Sequence, residues 1–329
     1  MTQTSVAAGS SRQRMSIGVG FPRSYSPSLA AEFARATEAA GLDEIWFVED
    51  CFYSTAPPLA AVALAATEHI SVGLGILPAV VRTAAVTAME ISTLEQIGPG
   101  RVVAGIGHGV QSWMQQMGVK PASPLTALGE TLSAVRSLLQ GEHLDEAGRV
   151  VTVRDVGLVF PPATPPPVIA GVRGAKSLQL AGQVCDGVLL DAPTSPYYLD
   201  QARTLCAAGP EFQFRALSWW SVAGDPRDAR AAMADGLLDA VIHRLPMISA
   251  LPFSDALVTA AEAGGVQALI DLPQEYWTAM GAVGTLDDAA QHIRSLADAG
   301  LRSAAFFLDD DPATGRRQIQ QIAQVASSG

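Results

Sequence analysis

From Ser16 onward the chain alternates short apolar, β-branched runs with longer Ala- and Leu-rich amphipathic segments. Ser16–Gly20 reads as a first strand, followed by a helix over 28–40 that stops at Gly41, where a helix C-terminal glycine belongs. The unit then recurs as strand Glu44–Val48 with helix 57–68, strand Ser71–Leu77 with helix 83–97, and strand Arg101–Ile106 with helix 125–139. After that the rhythm loosens. Val150–Val153 and Gly157–Phe160 read as a hairpin, and 161–167 as a proline-rich connector. It resumes with strand Val168–Ala170 and helix 175–181, strand Gly187–Leu190 and helix 196–207, and strand Phe214–Val222 with a helix over 225–241 entered at Asp-Pro. A proline-interrupted stretch (245–252), more helix, a helix over 286–299, strand Ser303–Leu308 and a terminal helix complete the chain.

Eight strands, each followed by a helix, predict an α/β fold: a (β/α)8 TIM barrel with an insertion between strands 4 and 5. The strands lack clean alternation and are rich in Val, Ile and Leu, as a parallel sheet buried on both faces requires. A doubly wound sheet would carry G-x-G-x-x-G after its first strand. Here Gly18-Val19-Gly20 runs into Phe21-Pro22-Arg23, and Gly105-Ile106-Gly107-His108-Gly109-Val110 lacks the last glycine. The expected organisation is a flexible N-terminal tail over 1–14 and one barrel domain over 15–329, with the insertion at 141–167.

Composition narrows the function. The 329 residues hold 21 Lys+Arg against 32 Asp+Glu, a formal charge of −11. Only Lys120 and Lys176 are lysines. An acidic chain lacks the basic face that nucleic-acid affinity rests on. Three cysteines without C-x-x-C fit a reducing compartment and not a disulfide framework. With no apolar run of 18 residues and a small, polar N-terminus, the expectation is a cytoplasmic protein without a membrane span. The histidines show no metal spacing, so no metal is expected.

A barrel does its chemistry at the C-terminal ends of its strands. Strand two is followed there by Glu49-Asp50-Cys51-Phe52-Tyr53, and strand three ends in Gly75-Ile76-Leu77-Pro78. Strand four leads into Gly107-His108-Gly109-Val110-Gln111-Ser112-Trp113, and strand five into Gly171-Val172-Arg173-Gly174-Ala175-Lys176-Ser177. With Gly98-Pro99-Gly100-Arg101, Ala181-Gly182, Cys185-Asp186-Gly187 and Gly284-Thr285, this order resembles the luciferase-like flavin and deazaflavin superfamily. Within it the likeness is to the coenzyme F420-dependent reductases and dehydrogenases related to methylenetetrahydromethanopterin reductase. It spans about Ser16 to Leu308.

The resemblance implies a deazaflavin across the barrel mouth, set against a bulge with a non-prolyl cis peptide at Gly75–Ile76; a mere bend in the strand is the alternative. It places the cofactor's phosphate at Gly171, Val172, Arg173, Gly174 and Lys176. That turn opens a helix whose free N–H groups and dipole favour an anion, and a chain at −11 must supply such cations locally. Gln111 matches a polar amide that reaches the cofactor's pyrimidine edge. Asp50 matches the acid of an Asp-His pair, with Cys51 in place of the histidine. His108 is the catalytic candidate, because imidazole exchanges protons near neutrality; a packed structural histidine is the other reading. Cys51, Phe52, Trp113 and Trp220 are candidate substrate-pocket residues. The implied function is F420-dependent hydride transfer to or from a small organic substrate, most consistent with C=N or C=C reduction, in a homodimer. The alternatives are an FMN-dependent luciferase-like monooxygenase and a non-catalytic F420-binding carrier paralogue.

Overall fold

The computed structural model describes residues 14–327. Eight parallel strands close a barrel: β1 (Ser16–Phe21), β2 (Glu44–Phe47), β3 (Ser71–Pro78), β4 (Val102–Gly107), β5 (Val168–Gly171), β6 (Gly187–Leu190), β7 (Gln213–Ser218) and β8 (Ser303–Phe307). Each pairs with its neighbours in chain order, and β8 closes onto β1 with Ser16 opposite Ser303 and Gly20 opposite Phe307. The TIM barrel expected from the sequence is the observed fold.

The near-continuous apolar strands feed two separate layers, because successive side chains point to opposite faces. Val19, Ile45, Phe47, Val72, Leu74, Val188 and Leu190 pack outward under the helices. Trp46, Val103, Ile169, Leu189, Leu217 and Ala305 form a second cluster on the barrel axis, with Val48, Ile76 and Phe307 against it. Glycines opposite the largest of these make the room. A Cβ on Gly73 would lie 2.2 Å from the Trp46 ring, one on Gly20 would lie 2.9 Å from Phe307, and one on Gly171 would lie 2.2 Å from Ile76. Below them the buried Glu44 carboxylate accepts from Arg215 Nη1 at 2.8 Å and from Trp46 Nε1 and Ser303 Oγ at 2.7 Å each. Every lone-pair direction in use there has a donor, which a buried charge needs.

Two local expectations are corrected. The hairpin pairs Leu144–Ala147 with Thr152–Val156, not Val150–Val153 with Gly157–Phe160. Glu130, on the helix Pro124–Leu139, accepts the N–H groups of Arg149, Val150 and Val151 at 2.8–2.9 Å, which makes that segment the turn. The Phe160 carbonyl is instead held by Gln96 at 3.0 Å, outside any strand. Nor is Phe214–Val222 one strand. β7 ends at Ser218, and Trp220–Val222 pairs in parallel with Ala282–Gly284, away from the barrel. Residues 219–283 thus form a second excursion with its own core of Leu237, Val241, Leu257, Leu269, Trp277 and Val283. The expected tail lies outside the described residues except for Arg14, which binds Asp43 at 2.5 Å. Among the described residues no helix is long and apolar enough to cross a membrane.

Candidate active site

The C-terminal ends of the strands surround a cleft of about 870 Å³. Its floor is apolar: Gly75, Ile76, Leu189, Leu217 and Phe307. Ile76 reaches it because β3 carries an irregularity between Leu74 and Leu77, where the Gly75–Ile76 peptide is cis. The bulge read from the sequence is therefore present. The loop after β2 holds a second non-prolyl cis peptide, Cys51–Phe52, which no sequence signal announced.

Two arginines organise the β2 side. Arg82 binds the buried Glu49 in bidentate fashion at 2.5 and 2.9 Å, and Glu49 also accepts the Ala56 N–H at 3.0 Å. The guanidinium also ion-pairs with Glu90 at 2.8 Å, and these carboxylates raise its pKa against the effect of burial. Arg23, just past β1, binds Asp50 at 2.8 Å and lies over the Tyr53 ring at 5.1 Å. Glu49, Asp50 and Arg23 line the cleft, whereas Cys51 and Phe52 do not; Phe52 is 66% exposed at the rim. Burial, reinforced by Glu49 and Asp50, raises the Cys51 thiol pKa, which makes it no substitute base.

His108, after β4, lines the cleft with Gly109, Val110 and Trp113. Its Nε2 is 2.8 Å from Ser177 Oγ, and Nδ1 reaches no partner at hydrogen-bond geometry. Burial lowers the imidazole pKa, partly offset by the Pro124 backbone, so the ring is neutral at pH 7. Gln111 does not line the cleft. Its Nε2 folds back to the carbonyls of His108 and Gly109 at 3.3 and 3.4 Å, so the amide braces its own loop. Trp220 is also elsewhere: buried, with its ring 5.5 Å from Phe306, because the chain has already turned out of the barrel.

On the β5 side Gly171, Val172, Arg173 and Gly174 line the cleft. Gly174 caps the helix Ala175–Val184 without a side-chain bond, and its carbonyl takes the N–H groups of Ser177 and Leu178. The N–H groups of Ala175 and Lys176 precede any intrahelical partner and stay open. Arg173 is not a free cation, since it ion-pairs with Asp191 at the end of β6. Lys176 is exposed just outside the cleft and pairs with no carboxylate among the described residues. The sequence reading missed Arg23, Glu49, Asp191 and Asp310 as cleft residues; their only signal was their place at strand ends. Among the described residues no three His, Cys, Asp or Glu side chains gather as a metal site.

Residues 4–303 match the family of luciferase-like monooxygenases. The chain belongs to that family. A 5,10-methylenetetrahydromethanopterin reductase of Methanolobus tindarius is 30% identical over 309 residues, covering 87% of this chain and 92% of that one. In structure this luciferase-like protein is similar to the coenzyme F420-dependent tetrahydromethanopterin reductase of Methanopyrus kandleri, with a TM-score of 0.76 and 20% identity over 95% and 98% of the two chains. It is also similar to an FMN-bound diketocamphane monooxygenase from a plasmid of Pseudomonas putida, with a TM-score of 0.69 and 17% identity over 95% and 98%. Those identities establish the shared barrel; a luciferase-like family member takes its chemistry from the cleft.

Proposed function

We propose that this protein is an F420-dependent oxidoreductase that moves a hydride between deazaflavin C5 and a small organic substrate, in the direction of C=N or C=C reduction. The supporting observation is one cleft whose apolar floor at the Gly75–Ile76 bulge leads to an N–H-rich turn opening the helix at Ala175, with Lys176 exposed beside it. That pairing fits a planar ring with an anionic tail. The reductase names of its relatives point the same way. When bound, the deazaflavin supplies the hydride chemistry.

The residues of this chain divide the remaining work. Gly75 and Ile76 support the ring, and the backbone of Gly171, Val172 and Gly174 holds the tail with Arg173 and Lys176. Trp113, Leu189, Leu217 and Phe307 keep water from the reacting carbon. Asp50, locked by Arg23, walls the opposite side, and the exposed Phe52 stands at the rim. His108, neutral at pH 7, accepts or returns the substrate proton, with Ser177 fixing its ring.

The test is direct. Purified protein is titrated with F420 and with FMN, and F420 is expected to bind preferentially. Selective FMN binding would favour the monooxygenase reading instead. His108→Ala is expected to lower turnover of a reducible imine or enone by about 100-fold while changing F420 affinity less than about threefold. Equal turnover would make His108 structural, and F420 binding with no turnover of any acceptor would indicate a carrier.

The homodimer reading has its own support. Val86, Met89 and Ile97 form an exposed stripe on the helix Ala84–Ile97, flanked by exposed Val62, Val159 and Phe160. An exposed apolar stripe of this kind supports a subunit interface on that face. Met89→Glu is expected to convert a dimer to monomer in sedimentation; a parent chain that is already monomeric removes the reading.

A further inference from the structure

We infer that Asp191 sets cofactor choice by charge: by neutralising Arg173 it leaves a cradle suited to a singly charged phosphodiester, as in F420, over a doubly charged phosphomonoester, as in FMN. The inference rests on the F420 reading above and goes beyond it to the residue that discriminates.

The Arg173–Asp191 pair spans the loops after β5 and β6 at the edge of the cleft. Asp191 is held from several directions. Its other carboxylate oxygen accepts the Ala192 N–H at 2.9 Å, and its carbonyl accepts Thr194 Oγ1 at 3.1 Å. Thr194 is itself tied to the Leu217 carbonyl at 2.9 Å and the Met280 carbonyl at 3.1 Å. Arg173 is braced too, its carbonyl accepting Tyr198 Oη at 2.9 Å. The carboxylate is therefore a built part of the cradle.

The charge available to an anion follows. Arg173 and Asp191 cancel, leaving Lys176 and the helix N-terminus, which carries roughly half an elementary charge. Together they come to about one and a half positive charges, enough for one negative charge and short of two. A second one would face Asp191 and a chain at −11 without a cation to meet it.

Doubling the charge of the phosphate group in the cradle doubles its electrostatic free energy with residue 191, so the fold-change for a phosphomonoester dianion is the square of that for a phosphodiester monoanion. Dissociation constants for F420 and FMN are measured by fluorescence titration on the parent, Asp191→Asn and Lys176→Gln proteins. Asp191→Asn, which keeps the acceptor for Ala192, is expected to tighten F420 by about threefold and FMN by about tenfold at low salt. The gain on FMN shrinks to that on F420 at about pH 5.5, below the second ionisation of a phosphomonoester, and both fade at high salt. A mutation acting only through loop structure would show neither trend. Lys176→Gln, on an exposed side chain, tests the same charge argument should Asp191→Asn fail to accumulate: it must weaken FMN by the square of its effect on F420. A parent protein that binds F420, with an FMN-to-F420 ratio unmoved by either substitution, overturns the inference and leaves the proposed function standing. A parent that does not bind F420 overturns both.

Discussion

An Arg82→Ala variant is expected to lose about 4 kcal/mol of folding stability, read from denaturant unfolding. The guanidinium grips both oxygens of Glu49, whose side chain is 6% exposed, and the arginine side chain itself is 13% exposed. Removing it leaves a buried carboxylate with one remaining donor, the Ala56 N–H. The penalty for an orphaned charge exceeds the net worth of the pair, and that asymmetry gives the prediction its check. Changing Arg82 and Glu49 together to methionine should recover most of the loss. A single-variant cost under about 1 kcal/mol, or a double variant no better than the single, would show that water reaches Glu49. Because Ala56 opens the helix Ala56–Ala66, the damage also loosens the loop that carries Asp50 into the cleft.

Acidification should destabilise the chain through His292, by about 3 kcal/mol between pH 7 and 4. The ring is fully buried, with Nδ1 2.9 Å from the Thr278 carbonyl and Nε2 3.1 Å from Ser218 Oγ. A carbonyl only accepts, so Nδ1 carries the proton and Nε2 receives the serine hydroxyl. Burial lowers the pKa to about 4 from the ordinary 6.5. The unfolded chain thus takes up a proton below 6.5 that the folded chain refuses until about 4, and stability falls across that window. Above it the contribution is complete. Carboxylates with lowered pKa, such as Glu38 and Glu130, act mainly at lower pH, while His108, also lowered by burial, adds to the same window, so the contribution of His292 is read as a difference between parent and variant. Stability measured against pH should fall more steeply in the parent than in His292→Gln, where only the smaller share from His108 is left; equal slopes would remove His292 as a source. Ser218 ends β7 and Thr278 belongs to the excursion, so the same ring joins the two parts of the molecule.

The barrel was legible in the sequence because each parallel strand, buried on both faces, leaves a short apolar run between turn signals. Strand ends place the cleft, and the family resemblance points to the bulge at Gly75–Ile76. What the pattern concealed was set by distant partners. Glu130 fixes the hairpin turn from about 20 residues upstream, while the local β-propensity of Val150–Val153 pointed to a strand. The break at Trp219 is silent because passing from one buried sheet to another leaves the run apolar. Arg173 looked like a free cation for the same reason: Asp191, 18 residues on, becomes its neighbour only when β5 and β6 lie side by side.

The glycines facing the barrel axis carry a consequence for how such a chain can change. Trp46, Ile76 and Phe307 occupy volume that Gly73, Gly171 and Gly20 leave vacant, so the size tolerated at one position is written at another. A methyl group at Gly73 has nowhere to go unless the indole shrinks with it, and the reverse exchange opens a void. Drift on the axis is therefore confined to compensated pairs, with every single step passing through a less stable chain. Rim positions outside the ion pairs Arg82–Glu49 and Arg173–Asp191 carry no such debt to a partner. Substrate range can diversify there one residue at a time, over a floor that is inherited whole.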